Sequence, residues 1–368
     1  MIHKSKCVSY GSHFDIDVIS TSGNLVQTDM GDAYSDLIMG CGSLPFGHTN
    51  RFITEAVTGV MDIATTDMLT FMNTLDEQVL APRNMDYCIQ FTGPTGTNAV
   101  EAAIKLARIK TGRRSILSLD RCFHGCSAGS LGLTNIDEYH AGLVYRPVAG
   151  EIVAHPNDDC TELLNAISGG HHAAVILEVV QGDSLKVIPS DTLHLIQATC
   201  NAHGTLLIID DVQAGAGRCD KFFSFDSCPT LSPDIIIISK GIANGLPLSF
   251  LLSKPVVDNC WIPGQHSGTF RAHGLSLAAA NKVVPEILEA TENRITVNDP
   301  ALIGKGHMLG VKVTDGPMAR DILFDYKILV ELCDDDYIVK FMPPIDGSGN
   351  HNVYDALRIL RESELLDD

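Results

Sequence analysis

From about residue 85 the apolar positions fall into short dense runs separated by segments with a three-to-four-residue period. The runs "MDYCIQFTG", "RSILSLD", "AAVILEVV", "TLLIIDD", "IIIIS" and "LSFLLS" each read as a strand. Between them "TNAVEAAIKLARIKT" and "TLHLIQATCNAHG" carry apolar residues at helical spacing, the second ending at Gly204. Near-continuous apolar strands are buried on both faces, and their alternation with helices predicts an α/β fold with a mostly parallel sheet. The flanks differ. Residues 1–45 read as irregular and glycine-containing. From about residue 279 the pattern gives a helix, two short strands ("HMLGVKV", "YIVKFMPP") and a terminal helix, "NVYDALRILRESELL". The expected organisation is a large domain of residues 46–278 and a small α+β domain assembled from residues 1–45 and 279–368.

In open parallel sheets the ligand sits at the carboxyl ends of the strands. Attention therefore goes to residues 93–97, 120–125, 181–183 and 210–213, and to Lys240. This lysine follows four consecutive isoleucines with only Ser239 between. An amine at the end of so apolar a strand is costly unless something pairs with it or removes its charge.

Two nucleotide readings of "LLIIDD" fail. A P-loop ATPase needs GxxxxGK[ST], and "IGKGHMLG" has the wrong spacing. The GxGxxG of a dinucleotide enzyme is also missing after the first strand. A different set of parts is present. "GPTGTNAVEAA" puts Gly96 and Thr97 at a helix N-terminus, where free N–H groups and the helix dipole favour a phosphate. "FHG" supplies an aromatic, Phe123, while Asp210 and Lys240 end two strands. Each feature alone has an ordinary structural reading: a residue past a strand, a common turn, a core phenylalanine. Together they are what holding pyridoxal 5′-phosphate requires. The lysine forms a Schiff base with the aldehyde, and the carboxylate keeps the pyridine nitrogen protonated. Lys240 is tolerable on a buried strand end once it is an imine, and desolvation lowers its pKa as a free amine.

The order of these parts resembles that of the class III aminotransferases, which are fold-type I pyridoxal-phosphate enzymes. "TLLIIDDVQAGAGR", "PDIIIISKGIANGLP" and "HSGTFRA" carry the resemblance. "QFTGPTGTNAVEAAIKLARIKTGR" and "LIMGCGSLPFGHTN" are similar to diaminobutyrate–2-oxoglutarate transaminases in particular. The resemblance implies a large domain with a seven-stranded-type, mostly parallel sheet. It implies Lys240 as Schiff base and proton carrier, with Asp210 on the pyridinium nitrogen. It further implies Gly96 and Thr97 on the phosphate, Phe123 stacked on the ring with His124 beside it, and Gln213 on the ring hydroxyl. Glu178 would lie beneath the cofactor, and Ser43 would belong to the N-terminal active-site segment. Thr269 matches a threonine that reaches the phosphate of the neighbouring subunit, which implies a homodimer with a shared site.

Two departures bear on the substrates, expected to be a small diamino acid and a 2-oxo acid. Where many relatives hold the acceptor carboxylate with an arginine masked by a glutamate, this chain has Lys340 and Asp183. Lysine is a point charge without the bidentate fork of arginine. The chain also lacks much of a long helical segment between "NKVVPEILEATENR" and "ALIGKGHMLGVKV". These departures keep open a second reading, a pyridoxal-phosphate enzyme that replaces, epimerises or joins carbon fragments instead of transaminating. A third reading, an inactive scaffold, sits poorly with so many matched site positions.

Composition changes the picture little. With 368 residues, 45% hydrophobic and 19% charged, the chain can bury a large core. A formal charge of −19 argues against a nucleic-acid partner. Eleven cysteines, an odd number, and a start without an apolar signal segment lead to the expectation of reduced thiols in a cytoplasmic protein. No apolar run reaches the roughly 20 residues that span a bilayer, and "CFHGC" lacks the second ligand pair of a zinc site.

Overall fold

The structure is a computed structural model that describes residue 14 and residues 16–48, 65–143, 150–268 and 270–366. The N-terminal flank corrects the reading of irregular chain. Val18–Ser22 (β1), Leu25–Thr28 (β2) and Ala33–Asp36 (β3) form an antiparallel meander. In β2 only Val26 and Thr28 are buried, so the period-two signal is two residues long and one of them is polar. That is too little to read as a strand.

The helix Thr65–Leu75 (α1) leads to the large sheet. Its strands are Cys88–Gly93 (β4), Ser115–Leu119 (β5), Gly150–Val153 (β6), His172–Leu177 (β7), Leu206–Asp210 (β8), Ile235–Ile238 (β9) and Ser249–Ser253 (β10). Their order is β4-β10-β9-β8-β7-β5-β6. Only β10 runs against its neighbours, and the remaining pairings are parallel. The connecting helices are Gly96–Thr111 (α2), Pro156–Ser168 (α3), Ser190–His203 (α4) and Gly274–Glu292 (α5). The seven-stranded α/β expectation holds.

The four isoleucines now have a reason. Ile236 and Ile238 point into one core with α1, α4 and α5, whereas Ile235 and Ile237 point into a second core against α2. All four are at most 1% exposed, as a central strand covered on both faces demands. In the large domain α1, β6 and α3 escaped the sequence reading. The edge strand β6 buries fully only Val153 of its four residues. "HPNDD", which reads as a solvated loop, instead opens α3: Pro156 stands at the first turn, and the His155 ring Nδ1 accepts a hydrogen bond from the Asn157 N–H at 3.2 Å. The cap is a histidine where Ser, Thr, Asp or Asn is usual, which hid the start.

After α5 come Leu302–Lys305 (β11), Met308–Lys312 (β12), Gly316–Asp325 (α6), Ile328–Leu329 (β13), Glu331–Cys333 (β14), Ile338–Phe341 (β15) and Asn350–Glu362 (α7). A second sheet runs β11-β12-β15-β14, and β13 adds in parallel to β3. The two chain ends thus share one sheet. Helix α5 crosses the expected boundary at residue 279, yet Leu277, Ala280, Val283, Val284 and Ile287 all pack into the large core. Among the described residues no helix is long and apolar enough to cross a membrane.

Candidate active site

β9 stops at Ile238, where Ser239 turns its hydroxyl to donate to the Leu248 carbonyl at 2.8 Å. Lys240 then opens a single tight helical turn with φ at +44°, a left-handed conformation that costs a lysine roughly 1 kcal/mol. Burial lowers its pKa, and Lys340 adds to that effect while Cys41 and Glu331 oppose it. Among the described residues no hydrogen bond ties its amine. A buried amine whose pKa is lowered and which no described residue ties is set up for attack on a carbonyl.

Asp210 ends the next strand, β8. Its Oδ2 lies 2.7 Å from Nδ1 of His124, and its Oδ1 accepts from the Val212 N–H at 3.1 Å. Both side chains are at most 5% exposed. Burial works against a charge on His124, but Cys122 and Asp210 outweigh it and hold the ring well above its usual pKa. Glu178 ends β7 and bridges two loops, accepting from the Phe123 N–H at 3.1 Å and from the Gly182 N–H at 3.0 Å. Burial pushes its carboxyl up to about 7, against the lowering effect of His124. The Phe123 ring lies 5.2 Å from Tyr139.

The N-terminus of α2 has no side-chain cap, since Thr95 turns its hydroxyl to Asn98 at 2.8 Å instead. Its first N–H groups stay available to an anion. Gly96 lets this end press on Val212, because a Cβ there would lie 2.8 Å from both Val212 methyls. Gly125, at φ +121°, leaves room beside the Thr97 hydroxyl that a side chain would fill. Gly96→Ala is expected to cost about 1–3 kcal/mol through overpacking. It should also weaken phosphate binding, checked by urea unfolding and by titration with the cofactor.

The segment from Met39 to Gly42 takes four left-handed φ values in succession, +50°, +59°, +53° and +80°. Asp36 holds it by accepting from the N–H groups of Ile38 (2.7 Å) and Met39 (3.0 Å), and its other oxygen lies 2.7 Å from the His48 ring. The turn presents the Cys41 carbonyl to the Gln213 amide at 3.0 Å. Ser43 follows directly and is half-buried. Gln213 is thus committed on both ends, because its Oε1 accepts from Lys340 Nζ at 3.0 Å.

Lys340, on β15, donates also to the Gly182 carbonyl at 2.6 Å. Asp183 does not pair with it. The Asp183 carboxylate lies 2.7 Å from Arg121, whose guanidinium also meets Asp334 (3.2 Å) and Asp335 (2.8 Å), and Asp183 accepts from the Asp334 N–H at 3.2 Å. The acid beside Lys340 is Glu331, at 3.6 Å. The structure therefore gathers Lys240, Asp210, His124, Phe123, Glu178, Gln213 and Lys340, with Asp183 turned aside. Thr269 lies outside the described residues. Sequence reasoning missed Arg121, Glu331 and Cys41. Arg121 was within reach, two residues past the end of β5 at Leu119, whereas Glu331 meets Lys340 through the register of a hairpin.

Residues 8–297 match the protein family described as aminotransferase class-III. The chain belongs to that family. As a class-III aminotransferase it is an enzyme that works with pyridoxal 5′-phosphate. An uncharacterised aminotransferase, y4qG, of Sinorhizobium fredii is 36% identical, over 91% of this chain and 85% of that protein. A diaminobutyrate–2-oxoglutarate transaminase of Vibrio cholerae is 35% identical, over 93% of this chain and 94% of that protein. Among solved structures an S-selective transaminase from Arthrobacter superposes with a TM-score of 0.82 at 20% identity, covering 95% of this chain and 94% of that one. The ornithine aminotransferase of Toxoplasma gondii does so at 0.81 and 19%, covering 97% and 93%. At these identities the two structures speak to the fold, which they share with this aminotransferase. The site residues fit the cofactor: an amine tied by none of the described residues, a buried carboxylate at a strand end, and a helix end without a side-chain cap beside two cradle glycines.

Proposed function

We propose that this aminotransferase moves the terminal amine of a small diamino acid, L-2,4-diaminobutyrate or a close analogue, to a 2-oxo acid such as 2-oxoglutarate. One observation carries the acceptor half. Lys340 holds a buried ammonium between Gly182 and Gln213, where a second carboxylate of a dicarboxylic acceptor needs a cation. The donor half is supported by relatives named as diaminobutyrate–2-oxoglutarate transaminases, which match 93% of the chain at 32–35% identity. The relatives named above carry aminotransferase names and lend no support to the non-transaminating alternative.

Pyridoxal 5′-phosphate supplies, when bound, an electron sink for the pair left behind as the substrate's C–H bond breaks. Around it the chain's own residues divide the work. The first N–H groups of α2, at Gly96 and Thr97, would take the phosphate. Phe123 would cover one ring face, and Asp210, held by His124, would keep its charge at the ring nitrogen. Lys240 would hold the cofactor through its amine, and the same amine would take the proton from the substrate carbon and give it back. The lowering of its pKa by burial suits that exchange. Glu178 fixes the Phe123 and Gly182 loops against each other. Gln213 serves the ring hydroxyl, Ser43 and Asp183 border the substrate, and Thr269 completes the phosphate site of a second copy in a homodimer. The cofactor residues belong to the large domain, residues 46–278 extended through α5, while Ser43 and Lys340 come from the flanking small domain.

The test is glutamate formation from 2-oxoglutarate with L-2,4-diaminobutyrate, ornithine, lysine and 4-aminobutyrate as donors. L-2,4-Diaminobutyrate is expected to exceed ornithine by about tenfold in kcat/KM, the worth of one misplaced methylene. A preference for 4-aminobutyrate, which lacks the α-ammonium, would remove the diamino acid from the reading.

A further inference from the structure

The strand that carries Lys340 and the Gly182 segment that receives its ammonium are joined, away from the site itself, by one arginine. Arg121 stands in the loop after β5, the loop that also carries Phe123 and His124. That loop is fixed at three points. The Asp120 carbonyl accepts from the Gln181 amide at 2.7 Å, the Phe123 N–H donates to Glu178 at 3.1 Å, and the His124 ring lies 2.7 Å from Asp210. From this footing the Arg121 guanidinium reaches Asp183 at 2.7 Å, Asp334 at 3.2 Å and Asp335 at 2.8 Å. Asp183 directly follows Gly182, whose carbonyl accepts from Lys340 at 2.6 Å. Asp334 and Asp335 lie in the turn of the β14–β15 hairpin, and Lys340 sits in the third register pair in from that turn. Arg121 thus holds the hairpin at its tip and the acceptor segment at Asp183.

Four left-handed residues meet at this point. Arg121 has φ +57°, and Asp334, Asp335 and Asp336 have +53°, +54° and +68°. Such conformations persist where surrounding contacts over-determine them, and they gather at clamps and switch regions. The Asp334 N–H also donates to Asp183 at 3.2 Å, so the turn and the Gly182 segment touch directly. Three carboxylates around one guanidinium repel one another once that guanidinium is gone. The Arg121 side chain is 19% exposed and that of Asp183 14%, so salt screens the cluster less than it would an open surface pair. We propose that Arg121 is a positioning residue, a latch that joins the Phe123–His124 loop to the β14–β15 hairpin and so sets where the Lys340 ammonium meets a dicarboxylic acceptor. One loop then serves both partners of the reaction: its far end faces the cofactor ring, and its near end places the cation for the acceptor. This inference rests on the dicarboxylic acceptor proposed above.

The experiment uses the holoenzyme and glutarate, an unreactive five-carbon dicarboxylate, with binding read by calorimetry and the two half-reactions followed separately. Arg121→Gln is expected to weaken glutarate about tenfold and to raise the acceptor KM by the same factor, as for a binding group shifted by part of an ångström. Acceptor kcat, the donor half-reaction and cofactor affinity should each stay within about twofold. Arg121→Lys keeps the charge without the fork and should recover part of the loss. Asp335→Asn, at a side chain 73% exposed, should weaken glutarate about twofold. In the Arg121→Gln background it should cause no further loss, because the pair it breaks is already gone. It carries the test alone if the arginine variants fail to fold. Unchanged glutarate affinity, a fall shared equally by the donor half-reaction, or additive losses in the double variant would overturn the latch. Lys340→Met separates this inference from the acceptor reading. If it loses glutarate while Arg121→Gln keeps it, the acceptor reading stands and the latch falls. If it binds glutarate as the wild type does, both fall.

Discussion

Lys240→Ala is expected to reduce turnover by at least about 10⁴-fold, because one residue supplies both the covalent tether and the moving proton. The change removes the untied amine and leaves the strand, its four isoleucines and both cores intact. Apo-protein stability should therefore hold, which separates loss of chemistry from loss of fold. The decisive measurement is borohydride reduction of the holoenzyme followed by peptide mass spectrometry. In the wild type the cofactor mass should appear on the peptide that contains Lys240, and in the variant on none. Attachment to Lys340, whose ammonium donates to Gln213, would reverse the roles given to the two lysines.

Asp210→Asn ranks second, with an expected loss of about 10²- to 10³-fold in kcat, the usual worth of a preorganised charge at a reacting centre. The asparagine keeps its shape and can still accept from the Val212 N–H, but the charge opposite the His124 ring is gone. The elevated His124 pKa depends in part on that carboxylate, so it should fall in the variant, readable from the imidazole protons by NMR. The signs agree: a histidine stabilised in its charged form by a neighbouring anion loses that stabilisation when the anion is neutralised. Activity within about threefold of wild type would leave Asp210 as a packing group and nothing more.

How far the sequence could be read depends on whether an element announces itself locally. β8 and β9 did, because a central strand covered on both faces is apolar along nearly its whole length. The residues just past their ends followed from the general rule for open sheets, which brought Asp210 and Lys240 into view together. β2 and β6 did not, since each buries too few residues to show a period. The neighbours of Lys340 were out of reach for another reason. Which acid faces it is set by hairpin register and by the competing claim of Arg121 on Asp183, and neither is encoded in any short stretch. The left-handed turn at Cys41 is likewise held from a distance, by Asp36 and Gln213.

The pairing of β13 with β3 has a consequence for the order in which the enzyme is completed. Every residue assigned here to the cofactor, apart from Thr269, lies between positions 96 and 240. The turn that carries Cys41 is pinned by late sequence: Ser35 donates to the Lys327 carbonyl (2.7 Å), Leu37 to that of Leu329 (3.0 Å), and Met342 back to that of Leu37 (2.8 Å). In the order of synthesis the cofactor cradle precedes the segment that locks the Cys41 turn. Residues 35–42 are thus made early and positioned late, so the substrate side of the site is completed after the cofactor side.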